Sequence, residues 1–302
     1  MHMTSPTVPD IICIGSVLWD IIGRSPRAMP SGADVPGRIT RLPGGVAMNV
    51  AKTLRRFGLT PTLLTALGQD PAGEELIRAC LEWGIRTDHV YRTSDFPTDR
   101  YLAIEDTNGL IAAIADAHSL EAAGDKILLP LSDGRLGHTA EPWTGLVALD
   151  GNLTGALLAE IAISPLLAAA DLRVAPASPG KVERLRPLLG HPRVTLYVNL
   201  EEAGILCGTV LHGARAAAEA LLAAGARRVL VTDGGRDCAD GKAGEELLVD
   251  RPQSVRVNRV TGAGDTFMAA HIAAERNGAT RAASLQAAHQ AAAEYVSGEI
   301  GS

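Results

Sequence analysis

Short apolar runs alternate with helix-patterned stretches along most of the chain, and this alternation constrains its fold more than any other feature. Asp10 to Gly15 (DIICIG) reads as a buried strand closed by glycine. Val46 to Phe57 carries apolar residues at Val46, Val50, Leu54 and Phe57, the spacing of a helix face, and Gly58 stops it. Strands follow at Leu63 to Leu67, Leu146 to Leu149, Leu172 to Ala175, Thr195 to Val198 and Val229 to Thr232. Helices are predicted at Glu74 to Trp83, Thr154 to Ile163, from Lys181, and at Ala214 to Ala224. Two alanine-rich helices, about Asp265 to Asn277 and Ala282 to Ser297, end the chain. This order predicts a mainly parallel sheet with helices on both faces.

Two segments break the pattern. Ser25 to Pro43 is rich in proline and glycine, and Asp99 to Ala115 is extended around Asn108-Gly109, a strong hairpin signal. They are expected to form a small separate sheet. With 302 residues, 46% hydrophobic and 21% charged, the chain is long and apolar enough for one large core. A net charge of -6 without a basic stripe excludes an electrostatic case for nucleic acid. Cys13, Cys80, Cys207 and Cys238 are far apart and read as reduced thiols. No apolar stretch reaches the roughly 18 residues of a membrane span, and Met1 to Pro6 lacks a signal-peptide pattern. A soluble, cytoplasmic protein is expected.

Ligands of such sheets bind at the carboxyl ends of the strands. The most suggestive segment there is Thr261-Gly262-Ala263-Gly264-Asp265-Thr266-Phe267. Its glycines allow close backbone approach, and amides at a helix start form an anion site. Asp265 is then either a base that takes a proton from a substrate hydroxyl or a carboxylate capping the helix. Phe267 stands where a dinucleotide fingerprint needs its third glycine, and no Walker A sequence occurs.

The T-G-A-G-D-T-F segment, with G-G-V-A-M-N-V-A near the N-terminus, resembles the two signatures of the PfkB/ribokinase family of sugar and nucleoside kinases. The resemblance runs over essentially the whole chain. It implies a ribokinase-like three-layer α/β/α fold across residues 1–302, with a small β-sheet lid from about 16–43 and 97–116. It makes Asp265 the catalytic base and Gly262, Ala263 and Gly264 the anion hole. Asp20 and Asn49 would bind acceptor hydroxyls, with Gly44-Gly45 as the hinge of the lid. Asn199 and Glu202 match an N-x-x-E motif that organises Mg2+ through water. Thr232 and Gly234, with Thr261, would bind the nucleotide, and His289 would flank adenine. Many members carry an acidic residue that helps bind a monovalent cation where this chain has Arg259, and an arginine cannot ligate K+.

Three segments resemble the pseudouridine kinases of that family: VALDGNL (Val147 to Leu153), PASPGKVERL (Pro176 to Leu185), and Tyr101 to Asp116. Val260, in place of the commoner threonine, is a further point of likeness. Asp116 would contact the nucleobase or ribose, and Lys181 is either functional or a surface charge. The resemblance implies an ATP-dependent kinase making pseudouridine 5'-phosphate, with a homodimer through the lid as a possible assembly. A kinase of ribose, fructose, ketodeoxygluconate or another nucleoside is the alternative. A binding protein without turnover is a third reading, which the intact Asp265 segment argues against.

Overall fold

The apolar run Ile11–Ile14 forms β1 in the computed structural model, which describes residues 8–298. A strand buried on both faces needs cover on both. β1 lies between β4 (Pro61–Leu64) and β9 (Leu146–Asp150), parallel to both. Beyond β9 the parallel order continues through β10 (Asp171–Ala175), β11 (Val194–Asn199) and β12 (Arg228–Thr232). Two antiparallel strands, β13 (Cys238–Lys242) and β14 (Leu248–Asp250), complete the eight-stranded sheet.

Strand alternation divides the core. Ile11 and Cys13 pack among α1 (Val46–Arg56), α2 (Pro71–Glu82), α7 (Ala263–Arg276) and α8 (Arg281–Ser297). Ile12 and Ile14 face α3 (His118–Ala123), α4 (Gly155–Ile163), α5 (Leu200–Cys207) and α6 (Ala214–Ala223). The three-layer arrangement is the one the sequence alternation predicts. The segment from Lys181 belongs to a 3-10 helix, Pro179–Leu188, in place of the expected α-helix. Pro187, inside the segment, lacks the amide hydrogen that a continuous α-helical ladder uses.

The two pattern-breaking segments do share one small sheet, but they meet through a strand that precedes both of them. β2 (Leu18–Arg24) joins β3 (Arg38–Gly44) and β7 (Arg100–Asp106), and β8 (Gly109–Asp116) follows β7 through the Asn108-Gly109 turn. The strand expected over Leu63 to Leu67 is split, with β5 (Ala66–Gly68) leaving the main sheet to pair with β6 (Tyr91–Thr93).

A buried charge cluster ties α7 to the main sheet. Arg173 of β10 and Arg228 of β12 both pair with Glu275 of α7, and Arg228 also binds Asp240 at 2.8 Å. Removing one partner from such a buried cluster leaves a charge uncompensated, at a cost of about 3–5 kcal/mol. The helix that starts with the Gly262 segment is therefore fixed in place.

Candidate active site

A cavity of about 760 Å³ opens where the parallel strands end. Ser16 after β1, Asn152 after β9, Pro176 after β10, Asn199 at the end of β11 and Thr232 at the end of β12 all line it. The small sheet contributes Asp20, Tyr101 and Ala115, and residues 260–265 close the opposite wall.

That wall depends on one glycine. Gly262 caps α7 at φ +89°, in the left-handed region, and a Cβ there would stand 2.6 Å from the Tyr295 hydroxyl. Tyr295 of α8 donates that hydroxyl to the Thr261 carbonyl at 2.9 Å. Asp265 is not the cap; the cap is Gly262, and Asp265 sits in the first turn. Its Oδ2 accepts instead from Asn49 Nδ2 of α1 at 2.8 Å. Burial pushes the Asp265 carboxyl up to about 7, against the Asn49 bond, and the charges of Asp150, Asp20 and Glu202 add to the rise. A carboxyl that titrates near neutrality beside a helix N-terminus is suited to removing a proton at physiological pH.

On the other side, Asp20 stands on β2, and burial pushes its carboxyl up to about 6. A Cβ on Gly44 would lie 2.0 Å from Asp20 Oδ2. At Gly45, with φ +95°, it would lie 2.4 Å from the Ser16 carbonyl. The Gly-Gly pair is thus required by close approach where β3 turns into α1. Asp116 does not face the cavity; Ala115 and Ala117 line it, and Asp116 pairs outward with His118 at 2.6 Å. Strand alternation at the end of β8 explains this placement.

Asn199 and Glu202 form a capping box on α5: Glu202 N–H donates to Asn199 Oδ1 at 2.9 Å and Asn199 N–H to Glu202 Oε2 at 2.8 Å. The box uses one oxygen of each, and both residues line the cavity. Glu202 is buried, which pushes its carboxyl up to about 7. Thr232 and Gly234 line the same end, as does Thr261. His289 does not; it pairs with Asp250 at 3.1 Å and packs 5.6 Å from the Phe267 ring.

Among the described residues, no group of three or more His, Cys, Asp or Glu side chains is placed to hold a metal directly. Glu202, with an unused oxygen at the cavity wall, suits a cation that stays hydrated and arrives with a nucleotide.

Behind the cavity wall lies a group that was not legible as a set. Asp150 is fully buried and accepts from Ser16 N–H at 2.8 Å, Ser16 Oγ at 3.0 Å, Ala47 N–H at 3.2 Å and Asn152 N–H at 2.8 Å. Asn152 in turn accepts from Lys181 Nζ at 2.6 Å. The sequence marks Asp150 and Asn152 only as part of VALDGNL, with nothing local to show that Ser16 and Ala47 meet the carboxylate.

Comparison with known proteins then decides the family. The model described as pfkB family carbohydrate kinase matches residues 8–299. The chain belongs to that family. It is a sugar or nucleoside kinase, a phosphotransferase with an alcohol acceptor. A pseudouridine kinase of Escherichia coli (strain K12) is 29% identical over 265 residues, covering 86% of this chain and 81% of that protein. An uncharacterized sugar kinase of the same organism is 30% identical over 264 residues, covering 85% and 70%. The structure of Arabidopsis thaliana ribokinase complexed with ribose and ATP superposes with a TM-score of 0.78 at 21% identity, covering 98% of this chain and 94% of that one. Among the described residues, no helix of this pfkB-family chain is long and apolar enough to cross a membrane.

Proposed function

We propose that the chain is a cytoplasmic, ATP- and Mg2+-dependent nucleoside kinase that phosphorylates the 5'-hydroxymethyl of pseudouridine. The observation that carries the chemistry is the Asn49–Asp265 contact at the mouth of α7, inside the cavity at the strand ends. Asp265 takes the proton of the acceptor hydroxyl, and the freed oxygen attacks the γ-phosphorus of ATP as the bond to ADP breaks. The amides of Gly262 and Gly264 would face the charge on the transferring group, with the dipole of α7 behind them, whereas the Ala263 N–H donates to the Val260 carbonyl at 3.0 Å. Magnesium, when bound, neutralises phosphate charge, and Asn199 and Glu202 would hold it through water. Thr232, Gly234 and Thr261 form the nucleotide wall, and Asp20 and Asn49 bind the acceptor.

The acceptor assignment rests on where two segments meet. VALDGNL and PASPGKVERL, which resemble the pseudouridine kinases, are joined at the cavity by the Lys181–Asn152 bond. The likeness to a pseudouridine kinase over most of the chain supports the same reading. The small sheet is a lid that excludes water from the reacting oxygen. Its outward face exposes Ile39, Leu102 and Ile114, where a second copy of the chain would pair, a point that sedimentation velocity checks.

The test is an ATP-consumption screen of pseudouridine, uridine, adenosine, ribose, fructose and 2-keto-3-deoxygluconate. Pseudouridine is expected to give the highest kcat/KM. Turnover of a free sugar with none of pseudouridine would overturn the acceptor and favour the sugar-kinase reading.

A further inference from the structure

A fully buried carboxylate is costly unless every lone pair is used. Asp150 meets that condition in an unusual way, because its donors come from three separate parts of the chain. Ser16 lies in the turn between β1 and β2, which leads to Asp20. Ala47 is in the first turn of α1, the helix that carries Asn49. Asn152 belongs to the turn after β9 and holds Lys181 at the cavity wall. The Ser16 hydroxyl closes the set, accepting from Val46 N–H at 3.0 Å and from Asn152 Nδ2 at 2.7 Å. Gly15 leaves the room required, since a Cβ there would stand 2.2 Å from the Asp150 carboxyl carbon.

We propose that Asp150 is a positioning carboxylate that pins the Ser16 turn, the start of α1 and the Asn152 turn into one acceptor-side frame. The role as a positioning group rests on the kinase reading above, whereas the pin itself does not. The carboxylate touches no reacting atom; it fixes where Asp20, Asn49 and Lys181 stand. Its charge also reaches Asp265, whose other neighbours are Asn49, Asp20 and Glu202, and it raises the Asp265 carboxyl. Cys13 and Lys181 are the other titratable groups that sense it.

An amide at this position can present an acceptor to the Ser16 and Ala47 donors or to Asn152, but not to all of them. Asp150→Asn is therefore expected to lower kcat/KM for the acceptor by about tenfold or more while the KM for ATP stays within about twofold. The acid limb of its pH profile should move to lower pH, because a like charge near Asp265 is gone. A purely structural lesion would not move that limb. Ser16→Ala, which removes only the hydroxyl, should reproduce the acceptor-side loss without moving the limb, and it keeps the test open if Asp150→Asn fails to fold.

Amide hydrogen exchange is read on the same folded variants. Segments 15–20, 44–50 and 150–154 should exchange faster together by about tenfold. Unchanged exchange in these segments overturns the pin whatever the enzyme phosphorylates. Equal losses toward ATP and acceptor overturn the acceptor-side role, and absence of any nucleoside or sugar kinase activity in the wild-type chain overturns the functional reading alone.

Discussion

Asn49 of α1 donates its side-chain amide to Asp265 of α7 at 2.8 Å, across 216 residues of sequence. Each residue belongs to a different glycine-rich segment, and each segment supplies what the other lacks. On the proposed reading, the Gly44-Gly45 turn brings Asn49 to the acceptor side, and the Gly262 turn brings Asp265 to the anion side. The contact orients one carboxylate oxygen and leaves the other toward the cavity. Removing the carboxylate while keeping the shape isolates its chemistry. Asp265→Asn should bind ATP and acceptor normally in calorimetry, while kcat falls by a factor on the order of 10² or more. Turnover near that of the wild type would sink the assignment of the base.

The same bond sets a pH dependence. A hydrogen bond to the charged form favours that form, so Asn49 holds the Asp265 carboxyl below where burial alone would put it. In the wild type, kcat/KM for the acceptor should fall as pH drops through about 7, as Asp265 becomes protonated. Asn49→Ala should move that limb to higher pH, opposite in sign to Asp150→Asn. A limb that stays in place or moves downward in Asn49→Ala would contradict the geometry.

Stability carries the same signature. The Asp265 carboxyl titrates at 3.8 in an unfolded chain and at about 7 when folded, so its protonated form is favoured by folding. Its contribution to stability is fully present below the unfolded value and is lost as pH rises through the folded one. Asp265→Asn removes the group that must ionise in a buried site. Its Tm should exceed that of the wild type at about pH 8 and match it near pH 4, as differential scanning calorimetry would show. A Tm difference of the same size at both pH values would mean that the effect is not ionisation.

Much of this was legible beforehand, for identifiable reasons. The runs at Asp10 to Gly15 and Val229 to Thr232 read as buried strands, and the Asn108-Gly109 turn announces the β7–β8 hairpin. The antiparallel edge was hidden because Cys238–Lys242 (CADGK) is short and polar. Its Asp240 is buried only because Arg228 and Arg281 meet it from other elements. Asp150 reads locally as a turn residue, since its partners Ala47 and Ser16 stand 103 and 134 residues away. Periodicity could not tell which way His289 points from its alanine-rich helix, and the structure turns it to Asp250 and Phe267.

Gly262 offers a steric prediction. Alanine there would hold φ +89° against its preference, costing about 1–2 kcal/mol, and its Cβ would press on the Tyr295 hydroxyl. Gly262→Ala should lower both Tm and kcat. Adding Tyr295→Phe should recover part of the loss, because the hydroxyl is what the Cβ meets, although the backbone cost remains. A double variant no better than the single one would show that Tyr295 is not the obstruction.

Arg259 sets the last expectation, on monovalent cations. Its Nε donates to the Tyr295 carbonyl at 2.7 Å, and its guanidinium lies 3.8 Å from the Tyr295 ring centre. Tyr295 in turn holds the Thr261 carbonyl, so a fixed positive charge is already built into the support of the Gly262 turn. Where related kinases place an acidic cation ligand, this chain has a cation, and a second one would meet repulsion. Turnover at matched ionic strength should therefore agree within about twofold among potassium, sodium and tetramethylammonium salts. Strong stimulation by potassium would show that Arg259 moves aside in the working enzyme. The wild-type chain measured in three salts decides it, and Arg259→Ala, which frees the Tyr295 carbonyl, should lower kcat without creating a potassium requirement.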